Sequence, residues 1–276
     1  MSARTRLLSA ILLCLIAASR FAAAAAEPAS SRGPDTVQLE ELTWTELRDR
    51  IAAGQTSIII PIGGTEQSGP AVALGKHNVR ARILSDTIAR ALGNTLVAPV
   101  IAYVPEGRID PPTGHMRFPG TITIPEAAFE AMLESAARSF KHAGFRDVLF
   151  LGDHGGYQAA LRTVAERLNR EWAASPTRAH AIESYYRATE TTYVQALKRR
   201  GFRDDEIGVH AGLADTALML ALDPRLVRTD RLASVQPGAD GVVGDPRRAD
   251  AALGKLGVDA IVAETVAAAR QAIARR

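Results

Sequence analysis

The chain has 276 residues, and 47% of them are hydrophobic, which is enough to bury one sizeable core. Its formal net charge of +3 depends on the first residues, because residues 1–26 hold three arginines and no acid, and without them the charge is zero. A near-neutral domain with no basic stripe excludes nucleic acid as an expected partner.

Residues 1–26 have the pattern of a signal peptide. Arg4 and Arg6 precede an apolar run over residues 7–18, and alanines at 22–26 offer small-residue cleavage sites. The apolar run is too short for a membrane span, so we expect no stable span after the leader is removed. We therefore expect an exported protein, periplasmic or secreted.

The rest of the chain is predicted to form one domain. The single cysteine, Cys14, would leave with the leader, and a mature chain without thiols suits an oxidising compartment. Residues 27–36, rich in Ala, Ser, Pro and Gly, read as a linker, and residues 37–276 as one α/β domain.

Strands and helices alternate in the predicted elements. Apolar periodicity and stop signals predict strands at 57–62, 96–101, 148–151 and 179–184. Before, between and after them they predict helices at 45–53, 78–92, 127–143, 158–172, 213–222 and 257–275, and a charged surface helix at 190–200. This alternation indicates a mostly parallel sheet with helices on both faces. Residues 230–250 form a turn-rich segment of the kind that serves as a lid or subunit contact.

Three polar clusters follow apolar segments. Glu66 and His77 lie in or next to a Gly/Pro-rich loop after the strand at 57–62, His154 lies just beyond the strand at 148–151, and residues 208–216 contain His210 and Asp215. Open α/β proteins build their sites in loops at the carboxyl ends of parallel strands. If the two strands are neighbours, Glu66, His77 and His154 converge at one edge of the sheet.

Two imidazoles and one carboxylate form a plausible zinc site with an open coordination position. Such a site lowers the pKa of bound water to about 7 and polarises a substrate carbonyl, which is the chemistry of amide hydrolysis. The alternative for each residue alone is structural, since a single loop glutamate is usually solvated and a single histidine is usually hydrogen-bonded. Sequence spacing leaves these two interpretations evenly balanced.

Several motifs in order resemble those of the creatininase (creatinine amidohydrolase) family. They are PIGGTEQ at 61–67 with Gly69-Pro70 and Leu74, FPGTI at 118–122, HGG at 154–156, and HAG at 210–212 with Asp215-Thr216. The resemblance implies a three-layer α/β sandwich, commonly hexameric, with a dinuclear zinc or manganese site that hydrolyses cyclic or linear amides. It places the family's first glutamate at Glu66 and its strand-end histidine at His154.

Two departures from the family pattern bear on the number of metal ions. Ser68 stands where the family usually has a histidine, and His77 stands where it has a bridging aspartate. A carboxylate can bridge two cations, whereas a neutral imidazole offers one nitrogen to one metal. We therefore expect a single divalent ion held by Glu66, His77 and His154, with zinc favoured and manganese or iron as alternatives.

His210 and Asp215 are the candidate proton carriers. The resemblance implies that His210 lines the catalytic pocket and can pass a proton to a leaving nitrogen, with a satisfied loop histidine as the alternative. Asp215 replaces a glutamate of the family and can contact a metal, orient water or act as a base. Equally, it can be an acid favoured by the N-terminus of the following helix.

Other polar residues near these motifs are left with two interpretations. Asp153 either orients the His154 ring or begins a turn, and Tyr157 either stacks on a ligand or packs in the core. Lys76 is expected either to be solvated, which is favoured, or to face the substrate. His115 and Arg117 lie in a loop that either approaches the pocket or stays at the surface.

Two functions follow from these patterns. The first is a metal-dependent hydrolase of a small-molecule carbon–nitrogen amide, acting through a metal-activated water, as an expected homo-oligomer. The second is a non-catalytic periplasmic ligand-binding or assembly protein that kept the fold and lost part of the metal site, suggested by Ser68 and His77.

Overall fold

A computed structural model describes residues 34–275, and the predicted signal peptide lies outside them. Within the chain, Thr36–Arg276 form one compact unit. Among residues 34–275, no helix combines the length and apolar character needed to cross a membrane.

The centre of the fold is a four-stranded sheet in which all the pairings are parallel, with the order β2-β1-β3-β4. The strands are β1 Ser57–Ile62, β2 Thr95–Val97, β3 Asp147–Gly152 and β4 Arg178–Ala181. The α-helices are α1 Trp44–Ala52, α2 Lys76–Leu92, α3 Glu126–Ala143, α4 Gln158–Glu171, α5 Ser184–Glu190, α6 Thr192–Lys198, α7 Asp204–Ile207, α8 Leu213–Leu222 and α9 Ala251–Ala274.

Helices cover both faces of the sheet, as predicted. Successive strand residues point to opposite faces, so Ile59 and Leu149 join one apolar cluster while Ile58 and Phe150 join the other. The first cluster contains residues of α2, α5, α6, α8 and α9, and the second contains residues of α3 and α4. This arrangement is the three-layer α/β sandwich expected from the sequence.

Three predicted elements differ from the structure. The strand predicted at 96–101 keeps regular pairing only to Val97, because Pro99 has no N–H for a ladder, and pairing returns as a single bridge at Ile101. The helix predicted at 190–200 exists as the shorter α6, because the backbone breaks at Thr191, and its predicted surface position is wrong, because Tyr193 and Leu197 are buried.

The last helix starts six residues before the predicted position. Asp250 caps it by accepting a hydrogen bond from the backbone N–H of Leu253 at 2.7 Å. Glycine destabilises an isolated helix, and Gly254 lies inside this one. A larger residue would not fit, however, because a Cβ at this position would lie 1.8 Å from the carbonyl oxygen of Ala217. The glycine therefore serves the close approach of α8 and α9.

Candidate metal and catalytic site

The site lies where two neighbouring strands end. Strands β1 and β3 pair in register up to Ile62 and Gly152, so the loops that follow them leave the same edge of the sheet. The first loop provides Glu66 and leads into α2, whose first turns carry Lys76 and His77, and the second loop provides His154. The predicted convergence of these loops is therefore observed.

The Glu66 carboxylate is completely buried at the centre of the site. One of its oxygens, Oε1, lies 2.7 Å from His77 Nε2, 3.4 Å from Lys76 Nζ and 3.5 Å from His210 Nδ1. Burial alone would raise the pKa of Glu66, but the hydrogen bond from His77 and the charge of Lys76 outweigh it and hold the pKa well below its usual range. Glu66 is therefore ionised.

The other oxygen of Glu66, Oε2, is surrounded differently. It lies 3.3 Å from His115 Nε2 and 3.5 Å from His154 Nε2, and it has no hydrogen-bond partner among the described residues. Ligand atoms of Glu66, His115 and His154 all lie within 4.8 Å of one another. Ligands bound 2.0–2.1 Å from a tetrahedral zinc ion are roughly 3.4 Å apart, so these side chains fit a single divalent ion.

The two histidines on this side are oriented by their other ring nitrogens. His154 Nδ1 accepts a hydrogen bond from the N–H of Gly156 at 3.1 Å, and His115 Nδ1 lies 2.8 Å from Gln67 Nε2. Burial, with the charge of His77, lowers the pKa of His154 to about 4, and burial also lowers the pKa of His115. Both rings are neutral at pH 7, which is the protonation state in which imidazole binds an ion.

A network of buried charges holds the Oε1 side. Asp153 receives His77 Nδ1 at 2.5 Å, the Arg80 guanidinium at 2.8 Å and the Tyr185 hydroxyl at 2.6 Å. Burial would raise the pKa of Asp153, but the charge of Arg80 outweighs it and keeps this carboxyl ionised. His77 thus has a carboxylate at each ring nitrogen, and a ring that donates to both has no lone pair for a metal.

The hydrogen bonds of His77 to Asp153 and Glu66 favour a positioning role over the predicted ligand role. Asp215 extends the same network, accepting Lys76 Nζ at 2.7 Å and Arg80 Nη1 at 2.8 Å. Burial opposes its ionisation, but these two cations hold the pKa of Asp215 well below its usual range. Asp215 also accepts the backbone N–H of Ala211 at 3.0 Å in the first turn of α8.

Lys76 is buried, with no exposed side-chain surface, so the prediction that it is solvated is wrong. Asp153 orients His77 rather than His154, and Tyr157 packs in the core while its hydroxyl donates to the backbone oxygens of Ile62 and Gly63. Arg117 is exposed, whereas its neighbour His115 reaches the site. The loop at 114–118 therefore approaches the pocket through one residue.

Glu106 is a site residue that sequence reasoning missed. Its Oε2 lies 3.7 Å from His154 Nε2, and its side chain is only 1% exposed. Burial, together with the nearby negative charge of Glu66, raises the pKa of Glu106 to about 9. The surrounding residues, YVPEGRID, contain no spacing that would have pointed to it.

His210 is a further buried residue of the site, with its ring against that of His115. Its Nε2 lies 2.9 Å from the carbonyl oxygen of Gln67, and burial with the charge of Lys76 lowers its pKa to about 3. The turn-rich segment predicted at 230–250 packs here, because Gly241 accepts a hydrogen bond from Gln67 Nε2 and Val243 forms a backbone bridge with His210. Part of this segment is thus a wall of the site.

A cavity of about 530 Å³ opens onto these residues. Its lining combines polar residues, among them the histidines, Lys76 and Asp215, with the aromatic and apolar residues Tyr186, Tyr193, Val194, Ile207 and Leu218. Val209 and Val243 line the cavity and are 85% and 53% exposed. The volume suits a small molecule or a short peptide segment.

Comparisons with known proteins agree with this geometry. The family profile of creatininase, described as creatinine amidohydrolase, matches residues 40–269. A mycofactocin precursor peptide peptidase from Mycolicibacterium smegmatis is 29% identical over 72% of this chain and 78% of its own length. A creatinine amidohydrolase from Pseudomonas putida is 27% identical over 73% of this chain and 78% of its own length.

Solved structures show the same fold. A crystal structure of creatinine amidohydrolase (creatininase) superposes with a TM-score of 0.71 at 23% identity, covering 87% of this chain and 99% of that one. Other similar structures are a manganese form of creatininase and a mutant described as Zn-Zn type.

Proposed function

Because the chain belongs to the creatininase family of metal-dependent amidohydrolases, we propose that it hydrolyses a carbon–nitrogen amide bond with one divalent ion held by Glu66, His115 and His154. The observation that carries this proposal is the buried Glu66 Oε2, which faces two imidazole nitrogens and receives no donor from the described residues. The second predicted function, a non-catalytic role, is not supported, because a full set of ligand atoms is retained.

A divalent ion at this position supplies Lewis-acid polarisation of a carbonyl and a water nucleophile at neutral pH. Among the protein groups, neutral His210 lines the cavity 3.5 Å from Glu66 and is placed to accept a proton at Nδ1. Asp215 is held ionised by Lys76 and Arg80, so we assign it to the positioning of these cations rather than to proton transfer.

We propose one ion rather than two because the protein already fills the Oε1 side of Glu66. The Lys76 ammonium and the His77 ring occupy that side, and an additional cation there would meet the ammonium of Lys76 at close range. Two imidazoles and a carboxylate suit zinc, and manganese or iron also accept these ligands.

The substrate class follows from the cavity and the relatives. A cavity lined by both polar and apolar residues suits a neutral amide, cyclic or linear, with an apolar substituent. The names of the relatives, a creatinine amidohydrolase and a precursor peptide peptidase, span small cyclic amides and peptides. Both kinds of amide therefore belong in a substrate screen.

Export and self-association are part of the same proposal. The leader pattern over residues 1–26 supports delivery to the periplasm or the medium. Fractionation of cells expressing the full chain, with N-terminal sequencing of the mature product, tests export. Light scattering of that product tests for a homo-oligomer, and a monomer would contradict it.

The direct test of the function is metal analysis and a panel of cyclic and linear amides and peptides, with His154→Ala as the variant. We expect one ion per chain and hydrolysis of at least one amide, both lost in His154→Ala. His142→Ala is the matched control, because His142 is exposed on α3. A wild-type chain that binds no stoichiometric ion, or a His154→Ala chain that keeps full activity, would contradict the proposal.

A further inference from the structure

Glu106 lies inside the site although it comes from a separate stretch of chain between β2 and α3. Its backbone N–H donates to Thr123 Oγ1 at 2.9 Å, which fixes the segment. Its carboxyl lies against the loop that carries Glu66, since a Cβ built on Gly64 would be 2.8 Å from Glu106 Oε1. The position of this side chain is therefore set by the fold.

The carboxyl of Glu106 receives no hydrogen bond from the described residues. Neither oxygen accepts a hydrogen bond from an N–H or O–H group of the described residues, and the side chain is 1% exposed. A buried polar group without a partner is costly, so such groups are rare in folded proteins. The neighbouring groups are Glu66, whose carboxylate shares a hydrogen bond with Glu106 when Glu106 is protonated, and His154, whose Nε2 is 3.7 Å from Glu106 Oε2.

We propose that Glu106 is a further ligand of the divalent ion, supplying the second carboxylate of the centre. This inference rests on the proposed function, because it concerns the ion bound by Glu66, His115 and His154. A cation explains both the missing donor and the proximity of two buried carboxyls, which would otherwise repel each other when ionised. Two carboxylates also balance the charge of a divalent ion, while the two imidazoles are neutral.

The second carboxylate has a consequence for metal choice. Oxygen ligands favour harder ions such as Mn²⁺, and imidazole suits zinc and iron, so a centre with two of each accepts several of these metals. Removal of Glu106 shifts the ligand set towards nitrogen. We therefore expect the Glu106→Gln variant to lose more affinity for Mn²⁺ than for Zn²⁺.

The test uses the full chain, stripped of metal and reloaded with Zn²⁺, Mn²⁺ or Co²⁺. Glu106→Gln removes the charge with little change of shape, and Glu106→Asp keeps the charge but shortens the side chain. We expect the dissociation constant for Zn²⁺, measured by chelator competition, to rise more than about tenfold in Glu106→Gln. We also expect a changed visible absorption spectrum of the bound Co²⁺ in both variants.

Glu171→Gln is the matched control, because Glu171 is an exposed glutamate paired with Arg138 on the surface. It should leave both the affinity and the Co²⁺ spectrum unchanged. If Glu106→Gln folds and matches the wild type in both measurements, Glu106 is not a ligand, although the proposed function stands. If Glu106→Gln does not fold, the Co²⁺ spectrum of Glu106→Asp is the test: a changed spectrum supports the ligand role, and a spectrum identical to that of the wild type contradicts it. A wild-type chain that takes up none of the three ions overturns both proposals.

Discussion

The two oxygens of Glu66 lie in two different environments. Around Oε1, every charged group has a partner of opposite charge: Lys76 and Arg80 bind Asp215, and Arg80 and His77 bind Asp153. Around Oε2 are His115, His154 and Glu106, and the buried oxygens there receive no donor from the described residues.

This difference separates a structural region from a binding region within one site. Buried charges that are paired and hydrogen-bonded are held rigidly, whereas buried acceptors without donors keep lone pairs with which to bind a cation. The paired groups around Oε1, here called the paired side, fix the position of Glu66. Its other oxygen, Oε2, is thereby held next to His115 and His154, where an ion could bind. The experiments below test whether the two sides can be separated.

Paired variants on the two sides should give the largest contrast. We expect His115→Ala to weaken Zn²⁺ binding more than about 100-fold, because loss of a ligand should exceed the roughly 10–100-fold loss of affinity that is typical when a residue supporting a ligand is removed. The free energy of unfolding of the metal-free chain should fall by about 1 kcal/mol or less. His77→Leu should instead lower the free energy of unfolding of the metal-free chain by about 3–5 kcal/mol, because two buried carboxylates lose a partner. Chelator competition and urea unfolding measure the two effects, and the reverse pattern would make His77 the ligand.

Two lysine substitutions test whether burial increases the contribution of an ion pair to the free energy of unfolding. Lys76→Met should lower the free energy of unfolding by about 2–3 kcal/mol, below the usual loss for a broken buried pair because Arg80 still binds Asp215. Lys255→Met is the control, since Lys255 also binds an aspartate, Asp259, but at an exposed i,i+4 position. It should cost about 0.3–0.5 kcal/mol, and equal losses in urea unfolding would contradict the contrast.

The pH dependence of the metal-free chain should give a smaller effect. The pKa of Glu106 rises from 4.5 to about 9 on folding, so the folded chain holds an extra proton between these values and stability falls as the pH rises. His154 and His210, with pKa values of about 4 and 3, lower stability instead as the pH falls below 6.5. Stability should therefore peak near pH 6.5 and fall above it by at most about 1.4 kcal/mol per pH unit. Urea unfolding at pH 6.5, 7.5 and 8.5 checks this, and a decline that persists in Glu106→Gln would contradict the assignment.

Periodicity and stop signals were sufficient to predict most of the fold. The largely apolar run at 57–62, bounded by turn residues, predicted β1 to the residue, and Gly93 and Gly144 ended α2 and α3 as expected. The errors in helix boundaries arose where the intrinsic propensity of a residue and its role in packing differ. Gly254 weakens an isolated helix, but in α9 it allows contact with α8.

The part of the site that lies in loops after neighbouring parallel strands was predictable from the sequence. Glu66, His154 and His210 follow recognisable motifs, and parallel strand order brings the first two together. Glu106 was missed, and Lys76 was assigned to solvent, because both depend on long-range burial that no local pattern records. Burial also changed the meaning of Asp153, which orients a histidine 76 residues away rather than its neighbour in sequence.

The wall formed by Val209 and Val243 offers a route to altered substrate range. These two residues are joined through their backbones, the N–H of Val209 donating to the carbonyl oxygen of Val243 at 2.9 Å, while their side chains remain largely exposed at the cavity. Saturation mutagenesis at positions 209 and 243 would therefore change which substituents enter the cavity without touching an ion ligand. Enzyme engineers could use this pair to redirect the catalyst towards bulkier amides.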